Sequence, residues 1–237
     1  TTKNPVRLVD ERSSVVKARS AKRDRCPTAD PQTDPPPVQD QLNKARRSLS
    51  RRDPVLRQVI REVGACEWTL QADLFAALVR SIIAQQISTK AAETISARFR
   101  ELCQGSVIAS RIVSLTEDEM RSAGLSQSKA KSVQHLALEV DSGRLDLSKL
   151  SELDDEGVIA ELIPVRGIGR WTAQMFLIFS LGRLNVLPVA DLGLKTAVKR
   201  LYELEELPTP ETLEELAKKW TPWCSVATWY FWRSLES

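Results

Sequence analysis

LIPVRGIGRWTA, at residues 162–173, is the stretch that says most about the fold of this 237-residue chain. The pattern predicts a tight turn from Gly167 to Gly169, with one helix ending near Ile163. A second helix is expected to begin at Arg170, and its first N–H groups form a favourable site for an anion. Two glycines so placed also let the backbone come close to a ligand. Such a hairpin can hold a DNA phosphate without reading sequence, although a plain turn between helices shows the same pattern.

Asp191 is the second feature of the sequence that carries chemical meaning. It follows an apolar loop that contains a proline, and it stands where a further helix is predicted to begin. An aspartate in that position is usually an N-cap, whose carboxylate accepts a hydrogen bond from the first turn. A carboxylate in an apolar loop beside a DNA-binding hairpin can also take part in a reaction. Both interpretations stand on the residues alone.

The rest of the chain predicts short helices joined by short loops. Apolar residues recur at helical spacing, typical N-cap residues precede them, and no stretch shows the alternating pattern of a strand. We therefore expect an all-α fold. The N-caps are Asp53, Asp73, Ser88, Thr116 and Ser126, and later helices are predicted at about 154–163, 170–181, 191–202, 210–220 and 223–235.

Residues 1–53 differ in composition from the remainder. They hold 13 Lys and Arg residues against 7 Asp and Glu, they are rich in proline at 31–37, and they show no apolar periodicity. A segment with so little to bury cannot compensate the entropy of ordering. The sequence thus predicts a disordered basic tail followed by one folded domain at residues 54–237. The tail can bind a polyanion or serve only as a solvated extension.

Composition also bounds the class of protein. No apolar run approaches the roughly 18–20 residues that a membrane span needs, and none resembles a signal peptide. The four cysteines lie far apart and His135 is the one histidine of the chain, which argues against a disulfide framework or a zinc site. We expect an intracellular protein without a metal or a membrane partner.

Five blocks then occur in a fixed order over residues 73–233, and together they resemble one known family. The blocks are SIIAQQIS at 81–88, GLSQSKA at 124–130, GIGRWTAQ at 167–174, DLGL at 191–194 and WTPWCSVATWYFW at 220–232. They are similar to the helix-hairpin-helix/Gly-Pro-Asp superfamily of DNA glycosylases, and within it to the 3-methyladenine DNA glycosylase II branch of alkylation repair. The resemblance implies two helical lobes with the active-site cleft between them. It also implies a monomer that needs no cofactor and acts on double-stranded DNA, in the bacterial cytoplasm or the nucleus.

The resemblance assigns the chemistry residue by residue. Asp191 takes the place of the catalytic carboxylate, which stabilises positive charge on the sugar and can orient or deprotonate water. Trp171 stands where bifunctional relatives have a lysine nucleophile, so the expected enzyme has no abasic-site lyase activity. Some relatives bind an iron–sulphur cluster through four closely spaced cysteines, whereas this chain has only Cys224 in that region. No cluster is expected.

The resemblance also implies a pocket for a base that has left the duplex. Trp171 and Trp232 occupy positions that line it in similar proteins, and an indole face attracts a cationic alkylated purine. Met175 stands where some relatives have an aromatic residue. Gln86 or Ile87 is the candidate wedge that fills the gap left by the base.

The predicted phosphate contacts share a place on the hairpin or on the helix after Asp191. They are Gly167, Gly169, Arg170, Lys195 and Lys199. For each of the cations, an ordinary solvated position is equally compatible with the sequence.

The resulting hypothesis is a monofunctional glycosylase that excises alkylated purines, of the 3-methyladenine type, in base excision repair. A glycosylase of the same fold with another damaged or mismatched base as substrate is the first alternative. A non-catalytic DNA-binding module is the second, and Asp191 argues against it, because a pure binder gains nothing from a carboxylate facing phosphates.

Overall fold

The computed structural model describes residues 37–236, and all regular secondary structure in that range is helical. The all-α prediction is confirmed. A short 3-10 helix occupies Leu147–Glu152. The α-helices of the described range are α1 (Pro37–Arg52), α2 (Pro54–Val63), α3 (Leu74–Ala84), α4 (Thr89–Leu102), α5 (Ala109–Val113), α6 (Glu117–Ser122), α7 (Gln127–Asp141), α8 (Asp155–Leu162), α9 (Arg170–Phe179), α10 (Leu192–Leu201), α11 (Pro210–Ala217) and α12 (Cys224–Arg233).

The predicted N-caps do begin their helices. Asp73 accepts a hydrogen bond from the Ala76 amide at 2.9 Å, and Ser88 and Ser126 cap α4 and α7 in the same way. Thr116 forms a full capping box, because the Glu119 carboxylate returns to the Thr116 amide at 2.8 Å. Each such cap stabilises its helix by about 1 kcal/mol. Local polar chemistry therefore sets most helix starts.

The predicted tail is wrong at its C-terminal end, because residues 37–52 form helix α1. Leu42, Ala45 and Leu49 lie at helical spacing on one face of α1 and are buried against α2 and α12. These three side chains are too sparse among charged residues to indicate a helix by themselves. They become a hydrophobic face only when the rest of the domain covers them. The remaining part of the predicted tail, residues 1–36, lies outside the described residues.

Two hydrophobic cores correspond to the two lobes expected from the sequence. The central core is formed by α3 to α9 and includes the fully buried Leu78 and Leu136. The terminal core is formed by α1, α2 and α10 to α12 and includes Leu56 and Phe231. Trp68, in the segment between α2 and α3, packs against both cores. The chain thus leaves the terminal lobe after α2, builds the central lobe, and returns at α10.

A buried carboxylate fastens the terminal lobe together. Asp53 is 1% exposed and caps α2 through the Val55 amide at 2.9 Å. Its other oxygen accepts the Trp220 indole N–H at 2.9 Å and the Tyr202 hydroxyl. Burial and the adjacent Asp53 carboxylate raise the pKa of Tyr202 far above its ordinary value, so this hydroxyl stays a donor. One side chain therefore joins α2, the end of α10 and the turn before α12.

Within residues 37–236, no helix combines the length and the apolar character needed to cross a membrane.

Replacing Leu49 by alanine tests whether α1 belongs to the folded domain. Leu49 is fully buried in the terminal core, so Leu49→Ala is expected to lower the free energy of unfolding by about 2–5 kcal/mol. The control is Lys44→Ala, on the exposed face of the same helix. Urea unfolding of both variants measures the difference. Equal stabilities would contradict the docking of α1.

Candidate active site and DNA interface

Asp191 lies at the start of α10 and receives three hydrogen bonds. Its Oδ1 accepts the Leu194 amide at 2.6 Å and the Trp232 indole N–H at 2.8 Å. Its Oδ2 accepts the Trp171 indole N–H at 2.8 Å. The residue is only 7% exposed. The N-cap interpretation of Asp191 is confirmed, and the same carboxylate also binds both predicted pocket tryptophans.

Local backbone chemistry places this carboxylate. A turn closed by the hydrogen bond from the Asp191 amide to the Pro188 carbonyl, 2.9 Å long, leads into the first turn of α10. The positive end of the α10 dipole favours a carboxylate at that point. The proline loop and the helix start therefore fix the acid where the two lobes meet.

Gly193 is a residue beside Asp191 that the sequence reasoning missed. A Cβ atom at this position would lie 3.1 Å from Cδ1 of Trp232 and 3.2 Å from Oδ1 of Asp191. A larger residue would therefore crowd the Trp232 indole and the Asp191 carboxylate, which would have to shift by a few tenths of an ångström. A glycine in the first turn of a helix is an unfavourable choice for helix stability, and that cost was the signal available in the sequence.

Aromatic side chains support the far side of Trp232. Its ring stacks on Phe179, with centroids 5.8 Å apart and planes inclined by 24°. The ring of Phe179 also contacts the ring of Trp68, with centroids 6.1 Å apart and planes inclined by 54°. Neither Phe179 nor Trp68 was identified from the sequence, since an aromatic residue at the end of a helix or in a loop carries no pattern of its own.

Trp171 and Met175 lie one turn apart on α9 and border a cleft facing the end of α3. Trp171 is 40% exposed, although its indole N–H is bound to Asp191. Two cavities that share Ser81 and Ala84 make up the cleft, with volumes of about 380 Å³ beside Trp171 and about 260 Å³ beside Met175. A larger groove of about 590 Å³ between α3 and α4 contains neither Asp191 nor a tryptophan. We place the site at the smaller cavities because they border Trp171 and Met175, and Trp171 donates its indole N–H to Asp191.

The hairpin has the geometry that its glycines predict. Gly167 has φ +82°, and a Cβ atom there would lie 2.5 Å from the Ser132 hydroxyl oxygen. No atom lies within 4 Å of a Cβ atom built on Gly169. Gly169 is the N-cap residue of α9, and it has no side chain that could cap the helix. The hairpin amide of Arg166 donates to His135 Nδ1 at 3.1 Å. The turn is thus fixed from α7, while the start of α9 faces open space.

The loop that carries Gln86 and Ile87 is fastened to the hairpin. Gln85 donates through Nε2 to the Gly167 carbonyl at 2.8 Å, which holds the two loops together. Lys129 donates from Nζ to the Ile83 carbonyl at 2.7 Å at the end of α3, and partial burial lowers the pKa of Lys129. Gln86 itself is exposed and has φ +57°, a left-handed conformation. Both wedge candidates therefore project from a braced turn beside the hairpin.

The three predicted phosphate cations have different surroundings. Arg170 makes a two-fold ion pair with Glu156 on α8, with one N–O distance of 2.9 Å, and this partner raises the pKa of Arg170. Lys195 and Lys199 are half-buried on α10, one and two turns after Asp191. Their contact with phosphate stays a prediction. No group of three metal-ligating side chains occurs among residues 37–236.

Comparison with known proteins identifies the family. Residues 79–222 match the model of the HhH-GPD superfamily base excision DNA repair protein. The chain belongs to the HhH-GPD superfamily. The matched range contains the loop of Gln86 and Ile87, the hairpin and Asp191, whereas Trp232 lies beyond its end.

Individual relatives place the chain near alkylation-repair enzymes. It is 30% identical to DNA-3-methyladenine glycosylase 1 of Schizosaccharomyces pombe, over 81% of this chain and 87% of that protein. It is 32% identical to the putative DNA-3-methyladenine glycosylase YfjP of Bacillus subtilis, over 76% of this chain and 66% of that protein. Among solved structures, S. pombe 3-methyladenine DNA glycosylase Mag1 in complex with abasic DNA superposes with a TM-score of 0.76 and 29% identity, covering 82% of this chain and 97% of that one. The structure of the DNA-3-methyladenine glycosidase of Bacillus halodurans superposes with a TM-score of 0.72 and 36% identity, covering 80% of this chain and 88% of that one.

The two hairpin glycines are expected to respond differently to substitution. Gly167→Ala should lower the free energy of unfolding by at least about 1–2 kcal/mol, because a side chain there is strained at positive φ and collides with Ser132. Gly169→Ser should leave stability unchanged, since its side chain enters open space and serine is a good N-cap. Urea unfolding compares the variants. Equal losses would contradict the described hairpin.

Proposed function

We propose that this member of the HhH-GPD superfamily is a monofunctional DNA glycosylase that removes alkylated purines of the 3-methyladenine type from duplex DNA. The observation that carries the proposal is the Asp191 carboxylate, held by a helix amide and two indoles, of which Trp171 lines a base-sized cleft. The names of the relatives supply the substrate class, and the family supplies base excision repair.

The reaction breaks the bond between C1′ of deoxyribose and a nitrogen of the base, and water adds its oxygen to C1′. Positive charge develops on the sugar as the base leaves. A carboxylate oriented before the reaction stabilises that charge without reorganisation, and it can accept the proton released by the attacking water.

The hydrogen bonds of Asp191 leave room for this role. A carboxylate oxygen has about two acceptor sites. Oδ1 uses two, for the Leu194 amide and the Trp232 indole, whereas Oδ2 uses one, for the Trp171 indole. Oδ2 has one acceptor site left, and its donor Trp171 lines the larger cavity of the cleft. Oδ2 is therefore the oxygen that we assign to the sugar or to the water.

The cleft suits a cationic base. N-alkylation of a purine ring nitrogen such as N3 or N7 gives the base a positive charge, and the exposed indole of Trp171 offers the negative face of its ring to that charge. Met175 forms a softer, polarisable wall one turn further along α9. Normal bases lack the charge and gain less from this surface.

The surroundings of the cleft suit a duplex whose base has been turned out. The open start of α9 can take a backbone phosphate on its N–H groups, independent of sequence. Gln86 stands on the adjacent braced loop, where it can enter the stack in place of the missing base. The partner is double-stranded DNA, which a single copy of the chain engages in the compartment that holds the DNA of the cell.

Trp171 also determines what the enzyme does not do. Its ring occupies the position of a lysine nucleophile, and its N–H is committed to Asp191. A Schiff base with the sugar needs an amine at that place. The product is therefore an intact strand with an abasic site.

Asp191→Asn tests the proposal directly. The asparagine side chain keeps an oxygen that can accept the Leu194 N–H of α10, but its NH2 group then faces the indole N–H of Trp171, which is also a donor. The substitution also removes the negative charge that opposes the sugar cation. Base release from duplex DNA containing methylated purines should fall at least about a hundredfold. Chromatography of the released base measures the rate, and strand breaks should form only after alkali. The matched control is Asp73→Asn, an N-cap aspartate whose carboxylate accepts the Ala76 amide of α3.

The outcomes separate the alternatives. Release by the wild type that is lost in Asp191→Asn and kept in Asp73→Asn supports both the class and the residue. A wild type that binds the duplex and releases no methylpurine overturns the proposed substrate. Deaminated and mismatched bases are then the next substrates to test, and a protein inactive on all of them is a DNA-binding module.

A further inference from the structure

A row of aromatic rings runs from the segment between the lobes to the proposed catalytic carboxylate. Trp68 lies in residues 64–73, which join α2 to α3, and it packs against both hydrophobic cores. Phe179, at the end of α9, lies between Trp68 and Trp232. Trp232 then donates its indole N–H to Asp191 at 2.8 Å. Each ring therefore borders the next, from the lobe junction to the acid.

The connecting segment is anchored to the end of α9 by more than the rings. The Gln71 amide donates to the Phe179 carbonyl at 2.9 Å. Leu70 packs close to Gly182, where a Cβ atom would come within 3.3 Å of its methyl groups. Phe179 is thus held at its backbone by Gln71 and at its ring by Trp68. Its position is fixed by the segment that joins the lobes.

Trp232 is confined on two sides. The stacked ring of Phe179, inclined by 24°, covers one face, and Gly193 allows the edge that carries Nε1 to approach α10. A flat ring held in this way has little freedom to rotate away from Asp191. If Phe179 could tilt, the indole would lose that support and Oδ1 would lose one of its two donors.

Trp68 contributes through its ring surface and not through a hydrogen bond. Its Nε1 is buried and has no hydrogen-bond partner among the described residues. Buried tryptophans usually do find a partner for this group, as the fully buried Trp220 does here. Replacing Trp68 by another aromatic residue therefore removes no bond, which makes Trp68→Phe a matched control for a substitution that removes the ring.

We propose that Trp68 is a positioning residue of the active site, which holds the Trp232 indole on Asp191 by way of Phe179. The inference rests on the proposed function for its catalytic consequence, while its structural part concerns the free protein. Trp68 touches neither Asp191 nor the cavities beside it, so the sequence pattern of the site does not include it.

Single-turnover base release from methylated duplex DNA tests the catalytic part. Trp68→Leu should slow the release about tenfold, which corresponds to about 1.4 kcal/mol of activation free energy. Trp68→Phe should keep most of the wild-type rate. In a Trp232→Phe background, where the indole donor is already absent, Trp68→Leu should cause little further loss. Leu49→Ala, in the terminal core, serves as a control of reduced stability that leaves the ring row intact.

Hydrogen exchange of the Trp232 indole N–H tests the structural part without DNA. Its resonance is identified as the one missing from the Trp232→Phe variant. Trp68→Leu should accelerate its exchange with water by about tenfold or more, because the bond to Asp191 opens more often, and Trp68→Phe should not.

The rate and exchange measurements distinguish a failure of the positioning role from a failure of the proposed function. An equal loss of rate from Trp68→Leu in the wild-type and Trp232→Phe backgrounds would overturn the positioning role, since it would indicate general destabilisation. Unchanged exchange in Trp68→Leu would overturn it as well. A wild type without base release would overturn the proposed function, and the exchange rates would still decide whether Trp68 positions Trp232.

Discussion

Burying a carboxylate is costly unless donors surround it, and this constraint on Asp191 organises the molecule. The three donors come from three helices: the first turn of α10, Trp171 on α9 and Trp232 on α12. Helix α9 belongs to the central lobe, whereas α10 and α12 belong to the terminal lobe, and the Trp232 side chain packs against the central core. The lobes must therefore meet in one arrangement for the acid to be satisfied. The cleft borders Trp171, whose indole N–H binds the carboxylate.

Asp53 is a second buried aspartate with similar hydrogen bonds, and it has a structural role. Like Asp191, it caps a helix and accepts a tryptophan N–H, and it is buried. A tyrosine hydroxyl shares one oxygen of Asp53 with the indole of Trp220, and Trp220 lines neither cavity of the cleft. Asp53 consequently holds the terminal lobe together. One difference between the two aspartates is that a tryptophan bound to Asp191 lines the cleft, which a sequence pattern does not express.

Short-range features were the predictable ones. The hairpin glycines, the helix caps and Asp191 depend on backbone conformations and hydrogen bonds within a few residues, so their positions follow from local chemistry. Helix α1 was not predicted because its few apolar residues form a buried face only through packing against α2 and α12, which lie elsewhere in the sequence. Gly193 and Trp68 were missed because their roles are steric and involve residues about forty or more than a hundred positions away in the chain. The ion pair of Arg170 with Glu156 joins two helices across the hairpin, which composition does not reveal.

Whether Asp191 recognises positive charge at the sugar can be measured by binding alone. Duplex DNA can carry a cationic pyrrolidine in place of one deoxyribose, or a neutral tetrahydrofuran of the same shape. The experiment measures the affinity of the wild type and of Asp191→Asn for each of the two duplexes. We expect the wild type to prefer the cationic duplex by at least about tenfold, or about 1.4 kcal/mol, and Asp191→Asn to lose this preference. Equal affinities in the wild type, or a preference that survives in Asp191→Asn, would contradict the role of Asp191 as the group that stabilises the sugar cation.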